Sequence, residues 1–125
     1  MTTVLIVDDH GAVRAGIRLL LDTADGISVV GEAADGRTAV SMAEALRPDI
    51  VLMDVRMPVL DGVAATRQLR SAPGAPTVLI LTSFGLDDVI LAALRAGAAG
   101  FLLKSASAEE LIGAVHRAAA GDTVL

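Results

Sequence analysis

The sequence contains no cysteine, so it can form no disulfide framework and offers no thiolate to a metal ion, which suits a reducing compartment. Basic residues are also scarce. Fifteen acids face ten lysines and arginines, giving a net charge of −5 and a pI of about 4.8. That field repels a phosphate backbone, so direct contact with nucleic acid is not expected. Lysine is scarcer still: nine of the ten basic residues are arginine, and Lys104 is the single lysine. No apolar run approaches the roughly 20 residues that span a bilayer. The start, Met1-Thr2-Thr3, leads straight into an apolar run and then acids, without the basic region and long apolar stretch of a signal peptide. A soluble, cytosolic chain with no membrane partner is the expectation. Both G-x-x-x-x-G-K-[ST] and G-x-G-x-x-G are missing, which argues against a nucleotide-binding loop.

What is present is a core. A chain of 125 residues that is 54% hydrophobic has enough apolar material for one packed domain. Short β-rich apolar runs occur at 4–7, 27–31, 50–54, 77–81 and 100–103, separated by longer segments with helical spacing. Val13, Ile17, Leu20 and Leu21 form one apolar stripe, and Leu111, Ile112, Val115 and Ala119 another. Asp35 can cap the second helix, which ends before Pro48, and Gly97 suits the end of the fourth. Ser107 with Glu110 forms a capping box that opens the fifth. Continuously apolar strands joined by helical crossovers imply a parallel sheet covered on both faces, an α/β doubly wound domain. Residues 1–119 read as this domain. The stretch Ala118-Ala119-Ala120-Gly121-Asp122 reads as its edge, with 120–125 the start of a linker to a further, C-terminal output domain.

In such sheets ligands gather beyond the carboxyl ends of the strands, where the strand order reverses. The first strand ends in Asp8-Asp9, the third in Asp54, the fourth in Thr82-Ser83, and Lys104 follows the fifth. Each alone has an ordinary explanation as a cap, a turn residue or surface charge. Together they need another, because three converging carboxylates repel one another unless a cation sits among them. Oxygen donors with water suit Mg²⁺. The lone lysine falls where a compact ammonium meets the cluster, and is expected to be solvated there until an anion arrives.

The available chemistry narrows by elimination. Acyl transfer lacks a base: no serine nucleophile elbow is present, His10 reads as a loop residue beside the acids, and His116 reads as a helix-face residue. Phosphoryl transfer remains, since a carboxylate can attack phosphorus to give an acyl phosphate while a metal ion and a cation neutralise the equatorial oxygens.

These residues resemble the response-regulator receiver family of two-component signalling. The resemblance is carried by Val4-Leu5-Ile6-Val7-Asp8-Asp9, by Val51-Leu52-Met53-Asp54-Val55-Arg56-Met57-Pro58 with Asp61-Gly62, by Leu81-Thr82, and by Gly97-Ala98 with Gly100-Phe101-Leu102-Leu103-Lys104. It implies a flavodoxin-like (βα)5 fold with strand order 2-1-3-4-5. It also implies that Asp54 is the phosphoacceptor, taking its phosphoryl group from the phosphohistidine of a sensor histidine kinase. Asp9, Asp54 and the Arg56 backbone carbonyl would bind Mg²⁺ or Mn²⁺ directly, and Asp8 mainly through water. Thr82 and Lys104 would bind phosphoryl oxygens, and Phe101 would be the aromatic that turns inward on activation. Arg56 and Phe84 occupy the places where receivers tune hydrolysis of the acyl phosphate, and their bulk implies slow hydrolysis. Asp9-His10, Leu81-Thr82-Ser83-Phe84 and Gly100-Phe101-Leu102-Leu103-Lys104 resemble the NarL/FixJ subfamily, whose output domain is a LuxR-type helix-turn-helix. Homodimerisation on phosphorylation is therefore possible, through the first and fifth helices or through the fourth helix, fifth strand and fifth helix.

One departure concerns Ser105, which stands where many receivers have a proline in a cis peptide. A cis bond there would cost roughly 2.5 to 4 kcal/mol, so a trans peptide is expected. Two rival readings stay open from the sequence. An aspartate-nucleophile phosphatase of the haloacid dehalogenase type would need its nucleophile after the first strand and a cap over the site. A stand-alone interaction module would keep the fold without being phosphorylated.

Overall fold

The computed structural model describes residues 1–57, 59–83, 85 and 87–125. Five strands alternate with five helices: β1 Thr2–Val7, α1 Gly11–Asp22, β2 Ile27–Ala33, α2 Gly36–Leu46, β3 Ile50–Asp54, α3 Gly62–Ser71, β4 Thr77–Thr82, α4 Asp88–Arg95, β5 Gly100–Leu103 and α5 Ala108–Ala119. The strands form one parallel sheet in the order β2-β1-β3-β4-β5. Order reverses between β1 and β3.

The alternation of side chains along each strand divides the core in two. Leu5, Val7, Val51, Met53, Val78 and Ile80 pack under α2, α3 and α4. Val4, Ile6, Ile50, Leu52, Leu79 and Leu81 pack under α1 and α5. The three central strands are thus buried on both faces, which is why they read as unbroken apolar runs. Each fully buried Leu, Ile or Val contributes roughly 1.5 to 3 kcal/mol of transfer free energy.

The punctuation behaves as its chemistry requires. Asp35 caps α2 by accepting from the Thr38 amide at 2.8 Å, and Arg47 leaves that helix in the left-handed region immediately before Pro48. Gly97, with φ +116, follows α4. Ser107 and Glu110 make the reciprocal capping bonds of α5, both at 3.1 Å. Among the described residues there is no cis peptide, so Lys104–Ser105 is trans.

Residues 120–125 run back along the sheet. Val124 is buried, bridges in parallel to Gly100, accepts from the Phe101 amide at 2.9 Å and donates to the Ala99 carbonyl at 3.1 Å. The segment read as a linker therefore begins by covering the free edge of β5. Its close approach needs a residue without a Cβ, because a side chain at Gly100 would run into the Val124 carbonyl. Gly100→Ala should unseat this segment and lower stability by about 1 to 3 kcal/mol. Hydrogen exchange checks this: the Phe101 and Val124 amides should lose protection while Leu79 and Leu52 keep theirs. Unchanged protection at both edge amides would mean that the tight fit does not seat the segment.

Candidate functional site

The register of the sheet assembles the site. Val7 pairs with Met53, so Asp8 and Asp54, one residue further on, come side by side at the carboxyl edge. On the other flank Asp54 pairs with Leu81 and Leu81 with Leu102, which puts Lys104 two residues beyond that row. The alternation that sends Ile6, Leu52 and Leu102 towards α1 and α5 also puts Asp8, Asp54 and Lys104 on one side. The loop after β3 is held down at Gly62, whose amide donates to the Val55 carbonyl at 3.0 Å. Any side chain there would collide with the Asp54 backbone. Asp61 caps α3 by accepting from the Ala64 amide at 2.9 Å.

Asp8, Asp54 and Thr82 are the buried polar residues of this edge. Lys104 Nζ lies 2.8 Å from Asp8 Oδ2 and 3.3 Å from Asp54 Oδ2, with only 21% of its side chain exposed. This corrects the expectation of a solvated ammonium. Lys104 serves as the counter-cation of two buried carboxylates, because neither could be desolvated beside the other without one. Its own backbone amide donates to the Thr82 carbonyl at 2.7 Å, which ties the residue after β5 to the end of β4.

Burial pushes the Asp8 carboxyl up, but the Lys104 ammonium and the His10 amide outweigh it and hold Asp8 below the ordinary aspartate value. At Asp54 burial wins. Desolvation, with the Asp8 charge added, exceeds what Lys104 and the Arg56 amide give back, and the Asp54 pKa is raised. For Lys104, burial pulls the ammonium down, while the two carboxylates more than restore it and leave its pKa raised.

Asp9 is partly exposed, and His10 Nδ1 lies 3.0 Å from Asp9 Oδ1 and 3.2 Å from Asp8 Oδ1. One donor atom from each of Asp8, Asp9, His10 and Asp54 falls within 4.8 Å of the others. Asp8 Oδ2 is buried and, among the described residues, meets the Lys104 ammonium as an ion pair without a well-directed hydrogen bond. A dense set of donors, mostly oxygen and one of them short of hydrogen bonds, fits a divalent cation. A cleft of about 620 Å³, lined in part by Asp9, Arg56, Met57, Asp61 and Asp88, opens beside the acids.

The remaining expected residues are placed as follows. Thr82 ends β4 beside the row of acids. Phe101 is half-buried against the core under α2, α3 and α4. The Arg56 guanidinium is largely exposed and pairs with Asp87, the α4 cap, at 3.4 Å. Phe84 lies outside the described residues. Two contributors went unread in the sequence. His10 lies in the loop before α1, as expected, but it also turns its ring to the two acids beside it. Arg14 donates to the Asp8 carbonyl at 2.7 Å and shares Glu32 with Arg18; it bonds to a main-chain atom, which no residue pattern announces.

Comparison with known proteins gives a single answer. The family described as "Response regulator receiver domain" matches residues 4–116. This chain belongs to that family. The transcriptional regulatory protein YdfI of Bacillus subtilis is 41% identical over 125 residues, all of this chain and 58% of the relative. The receiver domain of the putative response regulator NarL from Mycobacterium tuberculosis superposes with a TM-score of 0.91 at 37% identity, covering 96% of this chain and 97% of that one. A LuxR-family two-component response regulator from Aurantimonas sp. SI85-9A1 gives a TM-score of 0.92 at 38% identity, covering 100% of this chain and 90% of that one. The receiver is therefore of the NarL/LuxR type, and it spans about three-fifths of the curated relative's length.

The opposite shifts of Asp8 and Asp54 make a pH experiment diagnostic. With its folded pKa above the ordinary 3.8, ionised Asp54 costs stability in full above the folded pKa. That cost fades as pH falls through the folded pKa and is gone below 3.8. Asp8, with its pKa lowered, contributes the reverse: stability present above 3.8 and lost as pH falls through its folded pKa. In the presence of a chelator, Asp54→Asn should melt roughly a few degrees above the parent at pH 7. The gap should close towards pH 4. A gap independent of pH would show that desolvation of the charge is not its source.

Proposed function

We propose that this receiver accepts a phosphoryl group on Asp54 from the phosphohistidine of a sensor histidine kinase and switches a C-terminal helix-turn-helix output domain that controls transcription. The observation that carries the reading is the buried Asp54 carboxylate, held between Asp8 and the chain's single lysine at the open end of the sheet. An Asp54 oxygen attacks phosphorus as the bond from phosphorus to the donor imidazole nitrogen breaks, and the imidazole leaves with that electron pair. Mg²⁺ held by Asp8, Asp9, Asp54 and the Arg56 carbonyl would supply charge neutralisation for the transferring group. Lys104 moves from the carboxylates to a phosphoryl oxygen, and Thr82 binds another.

The switch follows from charge. Replacing one carboxylate charge by a phosphoryl group of up to two draws Lys104 and Thr82 towards Asp54, and the bond from the Lys104 amide to Thr82 carries β4 and β5 together. Phe101, half-buried against the core that α4 also covers, would report that movement to the α4-β5-α5 face. We assign residues 1–119 to the receiver and 120–125 to the lead into the output domain, in keeping with the LuxR-family designation of the similar regulator.

Acetyl phosphate with Mg²⁺ should add one phosphoryl group, read as about +80 Da by intact mass, which is the ordinary mass of a phosphoryl adduct on a carboxylate. Chelator should abolish the adduct, and Asp54→Ala should take none. Stoichiometric labelling of Asp54→Ala would sink the assignment, and the absence of labelling in the parent would favour an interaction module that works unphosphorylated.

The acyl phosphate should be long-lived, because Arg56 and Phe84 occupy the sequence positions at which receivers tune the approach of water, and both are bulky residues. A tenfold change in lifetime needs only about 1.4 kcal/mol of barrier. Combining Arg56→Asn with Phe84→Ala should shorten the Asp54 phosphate lifetime about tenfold at saturating Mg²⁺. Equal decay rates would show that these side chains do not gate water.

A further inference from the structure

Phosphoryl transfer as described makes no use of His10, yet its ring is directed at the acids. His10 is the residue that opens α1, but its side chain makes no capping hydrogen bond there. The ring is also 68% exposed, so core packing does not hold it. What holds the residue is Asp8: the His10 amide donates to Asp8 Oδ1 at 2.8 Å, and this bond aims Nδ1 at the space between Asp8 and Asp9.

The carboxylate of Asp8 divides its work. Oδ2 faces Lys104 at 2.8 Å, whereas Oδ1 faces His10 Nδ1 at 3.2 Å. The side of Asp8 turned away from the ammonium is therefore the side lined by His10 and Asp9. Two donors at about 2.1 to 2.2 Å from one ion and at right angles lie about 3.0 to 3.1 Å apart, and opposite donors about 4.2 to 4.4 Å apart. The His10 spacings of 3.0 and 3.2 Å, which are hydrogen-bonding distances when Nδ1 carries a proton, and the 4.8 Å span of the whole set, come within a few tenths of an ångström of those values.

We propose that His10 Nδ1 is a ligand to the ion held by Asp8, Asp9 and Asp54. The result is a mixed oxygen and nitrogen site that selects borderline divalent ions, Mn²⁺ through Zn²⁺, over Mg²⁺. This rests on reading the acids as a metal site. The chemical reason is that imidazole suits transition ions, whereas Mg²⁺ favours hard oxygen ligands and keeps its water. A neutral ring bound through Nδ1 carries its proton on Nε2, which its exposure leaves free to face water.

The test uses the whole chain and two ions. With no tryptophan or tyrosine, the protein has no strong intrinsic fluorophore, so binding is followed by the electron paramagnetic resonance signal of free Mn²⁺, with Mg²⁺ as competitor. Pulsed measurement of the Mn²⁺-loaded protein should show ¹⁴N modulation from a directly bound imidazole, and His10→Ala should abolish it. The same substitution should weaken Mn²⁺ at least about tenfold and leave Mg²⁺ nearly unchanged. Mn²⁺ bound without ¹⁴N modulation, or equal losses for both ions in His10→Ala, would overturn the role of His10 while leaving the acid site intact. Mn²⁺ binding that survives the pair Asp9→Asn with Asp54→Asn would instead overturn the reading of the acids as a metal site.

Discussion

At an effective dielectric of about 20, two like charges about 4 Å apart repel by roughly 4 kcal/mol, a large share of the roughly 5 to 15 kcal/mol that holds a small domain folded. This receiver keeps Asp8 and Asp54 side by side at the end of its sheet, with Asp9 next in the chain. The contact of Lys104 with the two buried acids makes that arrangement tolerable. It satisfies Asp8 more fully than Asp54, whose pKa stays raised. The site is thus built with a residual shortage of positive charge, which a divalent ion can relieve and which no apolar packing could.

The fold serves that shortage. Apolar strands with helices on both faces leave the carboxyl edge as the place where polar side chains can converge, and the reversal of order between β1 and β3 opens that edge where Asp8 meets Asp54. The loops are tied to it by short polar contacts: Gly62 under Asp54, Asp61 and Asp87 at the starts of α3 and α4, and Arg14 on the Asp8 carbonyl. The opposite end of β5 is sealed by Val124. Residues 120–125 therefore touch, through Val124, the strand that carries both Phe101 and, just beyond its end, Lys104.

Most of this fold is legible in the sequence, for identifiable reasons. The third and fifth strands match their apolar runs residue for residue, and the other three extend beyond theirs by one or two residues. Asp35 and the Ser107–Glu110 pair act as caps where local chemistry said they would. The acids, Thr82 and Lys104 were marked out by their positions at strand ends. Less legible was what depends on side-chain direction or on main-chain partners: the ring of His10 turned to the acids, Arg14 reaching a carbonyl, the return of Val124 to Gly100, and the burial of Lys104 as a counter-ion.

By itself the sequence determined the number and order of the elements, the two-faced core and the set of residues gathered at one edge. Those follow from hydrophobic period and capping chemistry, which act within a few residues along the chain. Tertiary structure decided how the charges are shared: which oxygen of Asp8 meets the ammonium, which faces His10, and why Asp54 and not Asp8 keeps a raised pKa. Such outcomes depend on differences of an ångström between groups as far apart in the chain as residues 8, 54 and 104. Only the register of β1, β3, β4 and β5 brings those groups within range.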